Sequence, residues 1–249
     1  MISPEMSPRA SPQGSPDFGN PATFAGIFGQ SNLAFDFDCR YRSAAGIWVD
    51  RARRLSVVSP GTPTAYAADG LHFGGMRVHQ CAVAGSAGLA VLTPDPPIWP
   101  AGSRPYIMGV ARFRSYPVGF NILVKIANLP TTTNSLILIT GSGTQLVGSS
   151  ESSGNATATF SDTTAPHIFE LYEDSSGVLR FEIDGVLVGS VGTGLSLTTA
   201  TGHLSFGGNQ IASANMSDTS HAGWWGCYSV PADERRAAAR ALAHSAFKF

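Results

Sequence analysis

The segment Val178-Leu-Arg-Phe-Glu-Ile-Asp-Gly-Val-Leu-Val-Gly-Ser190 constrains this chain more than any other. Phe181 and Ile183 alternate with Arg180, Glu182 and Asp184, the period-two pattern of a strand with one wet face. Asp184-Gly185 then fits a two-residue type I′ turn, in which both central residues take positive φ. A second apolar run, Val186–Val191, begins at once. The pair reads as an antiparallel hairpin with Glu182 and Asp184 on its solvent face. A chain organised around such a hairpin belongs with antiparallel sheets and not with βαβ units.

The same grammar recurs along the chain. Leu55–Val58, Tyr106–Phe113, Val118–Ile126, Leu136–Ile139 and Ile168–Tyr172 are short apolar or β-branched runs bounded by turn residues. The stretch 140–166, rich in Gly, Ser and Thr, is expected to supply edge strands and exposed loops, or a surface excursion. With 43% hydrophobic and only 13% charged residues, a sizeable core can form. The expected fold is all-β: a two-sheet antiparallel β-sandwich with one short C-terminal helix. That helix is expected over 231–246. Pro231 suits its first turn, Asp233 and Glu234 face the positive end of its dipole, and Ala238, Leu242, Ser245 and Phe249 form a stripe of mostly small residues. Such a helix lies as a lid on the sandwich.

The first residues form a repeat, with Ser3-Pro4, Ser7-Pro8, Ser11-Pro12 and Ser15-Pro16 every four positions. Proline fixes φ and removes a donor, so residues 1–20 are expected to be an extended arm ahead of a domain over 21–249. Pro4, Pro8, Pro12 and Pro16 are candidate assembly contacts, together with Arg51, Arg53 and Arg54. Those arginines are expected to meet either acids on a neighbouring subunit or the nearby Asp36, Asp38 and Asp50.

A net charge of −1 gives no global field for nucleic acid. The start of the chain lacks a signal-peptide core and no run of 18 apolar residues exists, so cytoplasmic synthesis and no membrane insertion are expected. Cys39, Cys81 and Cys227 are odd in number and form no C-x-x-C, which fits buried free thiols. Chance then explains the sequons at Asn155 and Asn215.

Three stretches together resemble the concanavalin A-like lectin/glucanase superfamily, in the laminin-G-like form found in phage and bacterial surface proteins. Trp48-Val-Asp50, with Leu55, Gly61 and Ala68-Asp-Gly-Leu-His-Phe-Gly-Gly75, is similar to that family's opening. Arg180–Ser190 is similar to its hairpin. Leu204–Gly208, Gly223-Trp-Trp-Gly226 and the segment 230–243 with Glu234, Arg235 and Leu242 are similar to its closing strands and helix. The resemblance spans residues 24–249 and implies a jelly roll. It departs at Gly74, where the family often carries Asp or Asn, and this counts against a structural calcium site.

The resemblance also implies what a glucanase of this superfamily needs, a carboxylate set E-x-D-x-E on one strand face. Glu182-Ile-Asp184 is followed by Val186, so the third acid is missing and no catalytic residues are expected. His72, His79 and Cys81 match no zinc spacing. Trp99, Trp48 and Trp225 are candidates for stacking on sugar rings; Trp224 and Trp225, being adjacent, point to opposite faces of a strand. Asp36 and Asp38 share a face and are the candidate calcium ligands, or are two exposed strand acids. No other cofactor is expected. The functional expectation is a non-catalytic structural or interaction protein, as a phage or phage-like virion component (capsid decoration, spike or tail). It would sit on the virion surface in a homo-oligomer or larger assembly. The alternative is a carbohydrate-binding module that recognises host or surface glycans.

Overall fold

The hairpin forms where the pattern puts it. Asp184 and Gly185 have φ of 53° and 79°, and Ile183 pairs with Val186 across the turn. The computed structural model describes residues 23–42, 48–52, 65–81, 89–91, 97–115, 121–127, 136–140, 145–150, 154–159, 164–191, 203–207 and 218–249. The Ser-Pro arm with Pro4, Pro8, Pro12 and Pro16, the strand expected at 55–58, and Arg53 and Arg54 lie outside these residues.

The strands are β1 (Leu33–Arg42), β2 (Trp48–Asp50), β3 (Ala65–Ala68), β4 (Arg77–Cys81), β5 (Leu89–Val91), β6 (Tyr106–Phe113), β7 (Asn121–Ala127), β8 (Leu136–Thr140), β9 (Gln145–Ser150), β10 (Gly154–Thr159), β11 (His167–Glu173), β12 (Leu179–Ile183), β13 (Val186–Val191), β14 (His203–Phe206) and β15 (Thr219–Cys227). Among the described residues they form two antiparallel sheets. One runs β13-β12-β11-β6-β15-β1-β2, with β4 also pairing β15 and β3 pairing β4. The other runs β10-β9-β8-β7-β14-β5. Two helices, α1 (Phe24–Phe28) and α2 (Asp233–Phe247), accompany the larger sheet. The expected strands at 106–113, 179–183 and 186–191 match β6, β12 and β13 in full, and the Gly/Ser/Thr stretch supplies β9 and β10.

Alternation along β1 and β15 divides the larger sheet into two working faces. On the inner face Phe37 meets Phe206 of the smaller sheet at 5.6 Å, and Trp224 lies 5.7 Å from the same ring. On the outer face Phe24 of α1 stacks on Trp225 at 3.8 Å, and Phe247 of α2 lies 6.1 Å from it. The lid therefore has a core of its own. Glycines make room for the rings: a Cβ on Gly109 would stand 2.2 Å from the Trp224 ring, and one on Gly226 2.3 Å from Phe35.

Helix α2 starts and ends close to expectation but turns a different face inward. Its buried residues are Arg236, Ala239, Ala243 and Phe247, while Ala238 and Ser245 are exposed. The expected stripe at 238, 242, 245 and 249 is thus rotated, because Arg236 belongs to the buried face through ion pairs that an apolar-stripe argument leaves out. Glu182 is corrected in the same way: it is buried under α2 and does not face solvent.

One corner of the inner core holds two histidines. His79 pairs across strands with Tyr66 on one side and His221 on the other. Its ring lies 4.6 Å from Trp48 and 5.1 Å from Tyr66, and neither ring nitrogen has a hydrogen-bond partner. His221 is served better, by Thr219 Oγ1 at 2.8 Å from Nε2 and by Trp224 Nε1, which donates to Nδ1 at 3.0 Å. Burial, helped by Arg42, lowers His79 to about 4; burial, helped by His79, lowers His221 to about 3. A base whose folded pKa is depressed stabilises the fold above its unfolded pKa of about 6.5, and that stability is lost as pH falls toward the folded value. Replacing His79 by Phe removes both the titration and an unpaired buried donor. His79→Phe should raise stability at pH 7 by about 1 kcal/mol and flatten the decline between pH 6.5 and 4, measured by urea denaturation across that range.

Candidate binding cleft

The outer face of the larger sheet carries more than rings. Glu170 of β11 sits directly opposite Glu182 of β12, and Tyr172 opposite Tyr106 of β6, so alternation aims all four at α2. Helix α2 answers with Arg236 and Arg240, one turn apart. Arg240 Nη1 donates to Glu170 Oε2 at 2.7 Å, and Tyr106 Oη donates to Oε1 of the same carboxylate at 2.7 Å. Arg236 Nη1 donates to Glu182 Oε1 at 3.1 Å; Tyr172 Oη donates to the same oxygen. The Arg236 guanidinium also lies 4.4 Å from the Tyr172 ring centroid. Burial raises Glu170 above the usual carboxylate range despite the Tyr106 and Arg240 hydrogen bonds, and burial with the Glu182 hydrogen bond raises Tyr172.

Where this network reaches the surface, beside the start of α2, a cleft of about 480 Å³ opens. Its lining includes three arginines, Arg104, Arg180 and Arg236, and three acids, Glu173, Asp174 and Asp233. Each arginine has its own acid: Arg104 Nε lies 3.1 Å from Glu173, Arg180 Nη2 2.7 Å from Asp174, and Arg236 Nη2 2.9 Å from Asp233. Tyr172, Ser175, Ser229 and Val230 complete the wall.

The local sequence explains the geometry. Asp174 opens the turn from β11 to β12, its Oδ1 accepting from the N–H groups of Ser176 at 2.8 Å and Val178 at 3.1 Å. Its other oxygen is left for Arg180. Desolvation works against ionisation of Asp174, but the Val178, Arg180 and Ser176 hydrogen bonds outweigh it and hold the carboxyl below its ordinary range. Asp233 is lowered by its bond to Arg236. Ser229 is pinned by Asn32, whose Oδ1 accepts from Ser229 N at 3.0 Å. The turn sequence Asp174-Ser-Ser-Gly177 was the available signal for this cleft; nothing in the sequence alone brings Arg104 to it.

The residues singled out from sequence lie elsewhere. Trp48, Trp99 and Trp225 are each fully buried, at 0% exposure, so none offers a face to a sugar. Trp48 and Trp99 pack in the inter-sheet core, with Trp99 Nε1 donating to the Cys227 carbonyl at 3.2 Å. Trp225 lies beneath the helices and donates to Asp36 Oδ1 at 2.8 Å. Asp36 and Asp38 are likewise buried, not exposed strand acids. Asp38 is bonded by Arg40 Nη2 at 2.6 Å, and Arg51 reaches both, at 3.7 Å from Asp36 and 3.9 Å from Asp38. Guanidinium groups stand where a calcium ion would. Burial raises Asp36 to about 6, with Arg51 opposing. Arg51, whose side chain is 13% exposed, is thereby committed within its own chain and stacks on Tyr41 at 3.9 Å. His72, His79 and Cys81 form no cluster, and no group of three His, Cys, Asp or Glu able to hold a metal occurs among the described residues. Cys39, Cys81 and Cys227 are buried, and no disulfide links them. No helix among the described residues is long and apolar enough to cross a membrane.

Comparison with solved structures fits this architecture. The chain superposes on a receptor-binding domain with a TM-score of 0.64 at 11% identity, over 90% of this chain and 53% of that one. It superposes on Trypanosoma rangeli sialidase in complex with the inhibitor DANA with a TM-score of 0.59 at 12% identity, over 84% of this chain and 32% of the sialidase. The same sialidase in complex with sialic acid gives 0.58 at 11% identity, over 85% and 32%. The chain thus spans about half the length of the receptor-binding domain and about a third of the sialidase. No family model and no curated protein sequence matches the chain. The likeness is one of fold, a concanavalin A-like antiparallel β-sandwich with a C-terminal helix.

Arg236 joins the lid to the sheet and the network to the cleft. Removing one partner of a buried ionic network leaves an uncompensated charge, at a cost of about 3–5 kcal/mol. Arg236→Ala should destabilise the fold by about that amount in chemical denaturation, and Glu182→Gln made in the same background should restore part of the loss.

Proposed function

We propose that this chain is a non-catalytic binding domain whose cleft takes a hydroxyl-rich ligand, a carbohydrate. The observation that carries this reading is the cleft lining: three arginine–carboxylate pairs around Tyr172, with no net charge. Each pair sets a donor beside an acceptor, and a sugar hydroxyl both donates and accepts. A charged ligand would gain little there, whereas vicinal hydroxyls can bridge a pair. The likeness in fold to a receptor-binding domain and to the lectin-like domain of a sialidase supports recognition as the role.

Support for a non-catalytic role comes from the carboxyl groups. A glycosidase needs a general acid whose pKa is raised. Asp174 and Asp233 in the cleft are lowered. Glu170 is raised, yet it lies under α2 and is bonded to Tyr106 and Arg240.

A second reading, a virion building block assembled in a host cytoplasm and displayed on the virion surface, rests on the proline-pinned arm. Val186 and Leu187, 63% and 49% exposed on opposite faces of β13, are apolar points open to a neighbouring subunit. The two readings are compatible, since a particle's surface domain can carry a glycan site. Deleting residues 1–20 should leave the thermal unfolding of the domain unchanged and impair its incorporation into particles; normal incorporation would sink the assembly role.

The cleft is tested by screening the full chain against a glycan array and measuring the hits by calorimetry. Arg104 is 55% exposed but its partner Glu173 is buried, so the thermal unfolding of the variant is measured beside its binding. Arg104→Ala should weaken binding about tenfold, the loss of one charge-assisted hydrogen bond. The hits should also survive incubation with no new reducing ends. Hydrolysis abolished by Glu182→Gln would overturn the non-catalytic reading.

A further inference from the structure

Among the described residues β3 pairs with β4 alone, and β4 joins the larger sheet through a short ladder to β15: Cys81 with Thr219, Gln80 with Ser220 and His79 with His221. The β3–β4 hairpin is therefore a side branch of the sheet. Its turn end is fastened by charge, with Arg112 Nε and Nη2 donating to Asp69 at 2.6 and 3.0 Å. Desolvation opposes ionisation of Asp69, but hydrogen bonds from Arg112 and Ser220 outweigh it and hold the carboxyl below its ordinary range. The opposite end of the hairpin is held differently. There Tyr66 Oη donates to the Cys39 carbonyl of β1 at 2.9 Å, and His79 and His221 stand directly opposite each other across the seam between β4 and β15.

What surrounds the two rings decides what a proton does there. His79 is faced by His221 from β15, by Tyr66 from β3, by Trp48 from β2, and by the charge of Arg42 from β1, whose guanidinium lies over the Tyr66 ring at 4.2 Å. Phe206 of β14 lies 6.3 Å from His221. None of these is an acid, and neither ring nitrogen of His79 has a hydrogen-bond partner. A proton on His79 therefore meets a cation and a second histidine in a buried site with no carboxylate to offset it. His221 fares no better, because its Nδ1 already accepts from Trp224 Nε1 and would have to give up that bond to carry a proton. Parting the seam lets water reach both rings and removes the conflict. A base that is neutral when buried and ordinary when wet shifts such an opening by about tenfold per pH unit, from its ordinary value near 6.5 down to its buried one. The buried value is about 4 for His79, through burial and Arg42, and about 3 for His221, through burial and His79. Asp69 stays ionised over that range, so the turn end of the hairpin stays fastened.

We propose that His79 and His221 form an acid-sensitive latch at this seam, and that protonation parts the β3–β4 hairpin from β15 while the rest of the sandwich stays folded. The latch is independent of what the cleft binds. Two buried cysteines report on it: Cys81 lies in the seam opposite Thr219, and Cys227 lies at the far end of β15 opposite Tyr106. The first senses the hairpin and the second the whole sandwich. The probe is 4,4′-dithiodipyridine, a thiol reagent that works in acid, applied to the full chain at a series of pH values. Labelled sites are located by mass spectrometry, and each rate is divided by that of glutathione at the same pH. Between pH 6.5 and 4.5 the rate at Cys81 should rise at least about a hundredfold while Cys227 stays protected. His79→Phe should cut that rise at least about tenfold. Arg42→Gln, at an exposed position, removes the cation that opposes protonation and should lower the Cys81 rate at pH 4.5 about twofold or more; it decides the matter if His79→Phe does not fold. Protection of Cys81 down to pH 4.5, exposure of Cys81 and Cys227 together, or a rise at Cys81 that either variant leaves unchanged would each overturn the latch.

Discussion

Strand β15 holds the structure together because it delivers adjacent tryptophans to opposite sides of one sheet. Trp224 enters the space between the sheets and Trp225 enters the space under the helices. Both are fully buried, and a tryptophan hides roughly 150–250 Å² of surface. The cost is local: Gly223 and Gly226 flank the pair, and glycine weakens a strand. Rings cover those positions. Gly226 lies across from Phe35 of β1 and Gly109 across from Trp224, each at a distance where a methyl group would collide. Glycine here is a packing requirement set by the tryptophans.

A second core on the outer face has electrostatic consequences. The strand positions that alternation assigns to that face include Asp36, Glu170 and Glu182, which water would otherwise solvate. Beneath α1 and α2 each carboxylate must be met from within. Glu170 receives Tyr106 and Arg240, and Glu182 receives Tyr172 and Arg236. Asp36 is served less fully: one oxygen accepts from Trp225, and Arg51 stands 3.7 Å from the other. Its pKa of about 6 follows. The apolar face of α2, essentially Ala239, Ala243 and Phe247, is too small to choose one rotation of the helix by shape alone. The ion pairs at Arg236 and Arg240 supply that choice, a role for which buried charges suit better than for raw stability.

The legibility of this fold in its sequence follows the same division. Whatever depends on local pattern was readable: the Asp184-Gly185 turn, the limits of β6, β12 and β13, the position of α2, and the opposite facing of Trp224 and Trp225. Whatever depends on the second layer was not. Period-two alternation marks Glu182 as wet, because a sequence does not say that a helix will return 54 residues later to cover it. The same blindness makes Trp225 look like a surface ring and Asp36 like a calcium ligand. The stripe on α2 was misplaced by one position for the converse reason, since an arginine on a buried face looks like solvent surface until its carboxylates are known. The cleft was illegible because its walls come from the loop before β6, the β11–β12 turn and the start of α2, which only the tertiary fold brings together.

Arg236 limits what the cleft can become. It lines the cleft, yet it also neutralises Glu182 and stacks on Tyr172 beneath the helix. A change at this residue alters the docking of α2 before it alters a ligand. Arg104 is different, with a side chain 55% exposed and the buried Glu173 as its acid partner. Arg180, 30% exposed and tied to a turn that Asp174 already closes through its other oxygen, is intermediate. Under the reading proposed for this cleft, selectivity resides in the outer pairs, whose arginines are more exposed than Arg236, while the inner pair fixes the floor against which a ligand would rest.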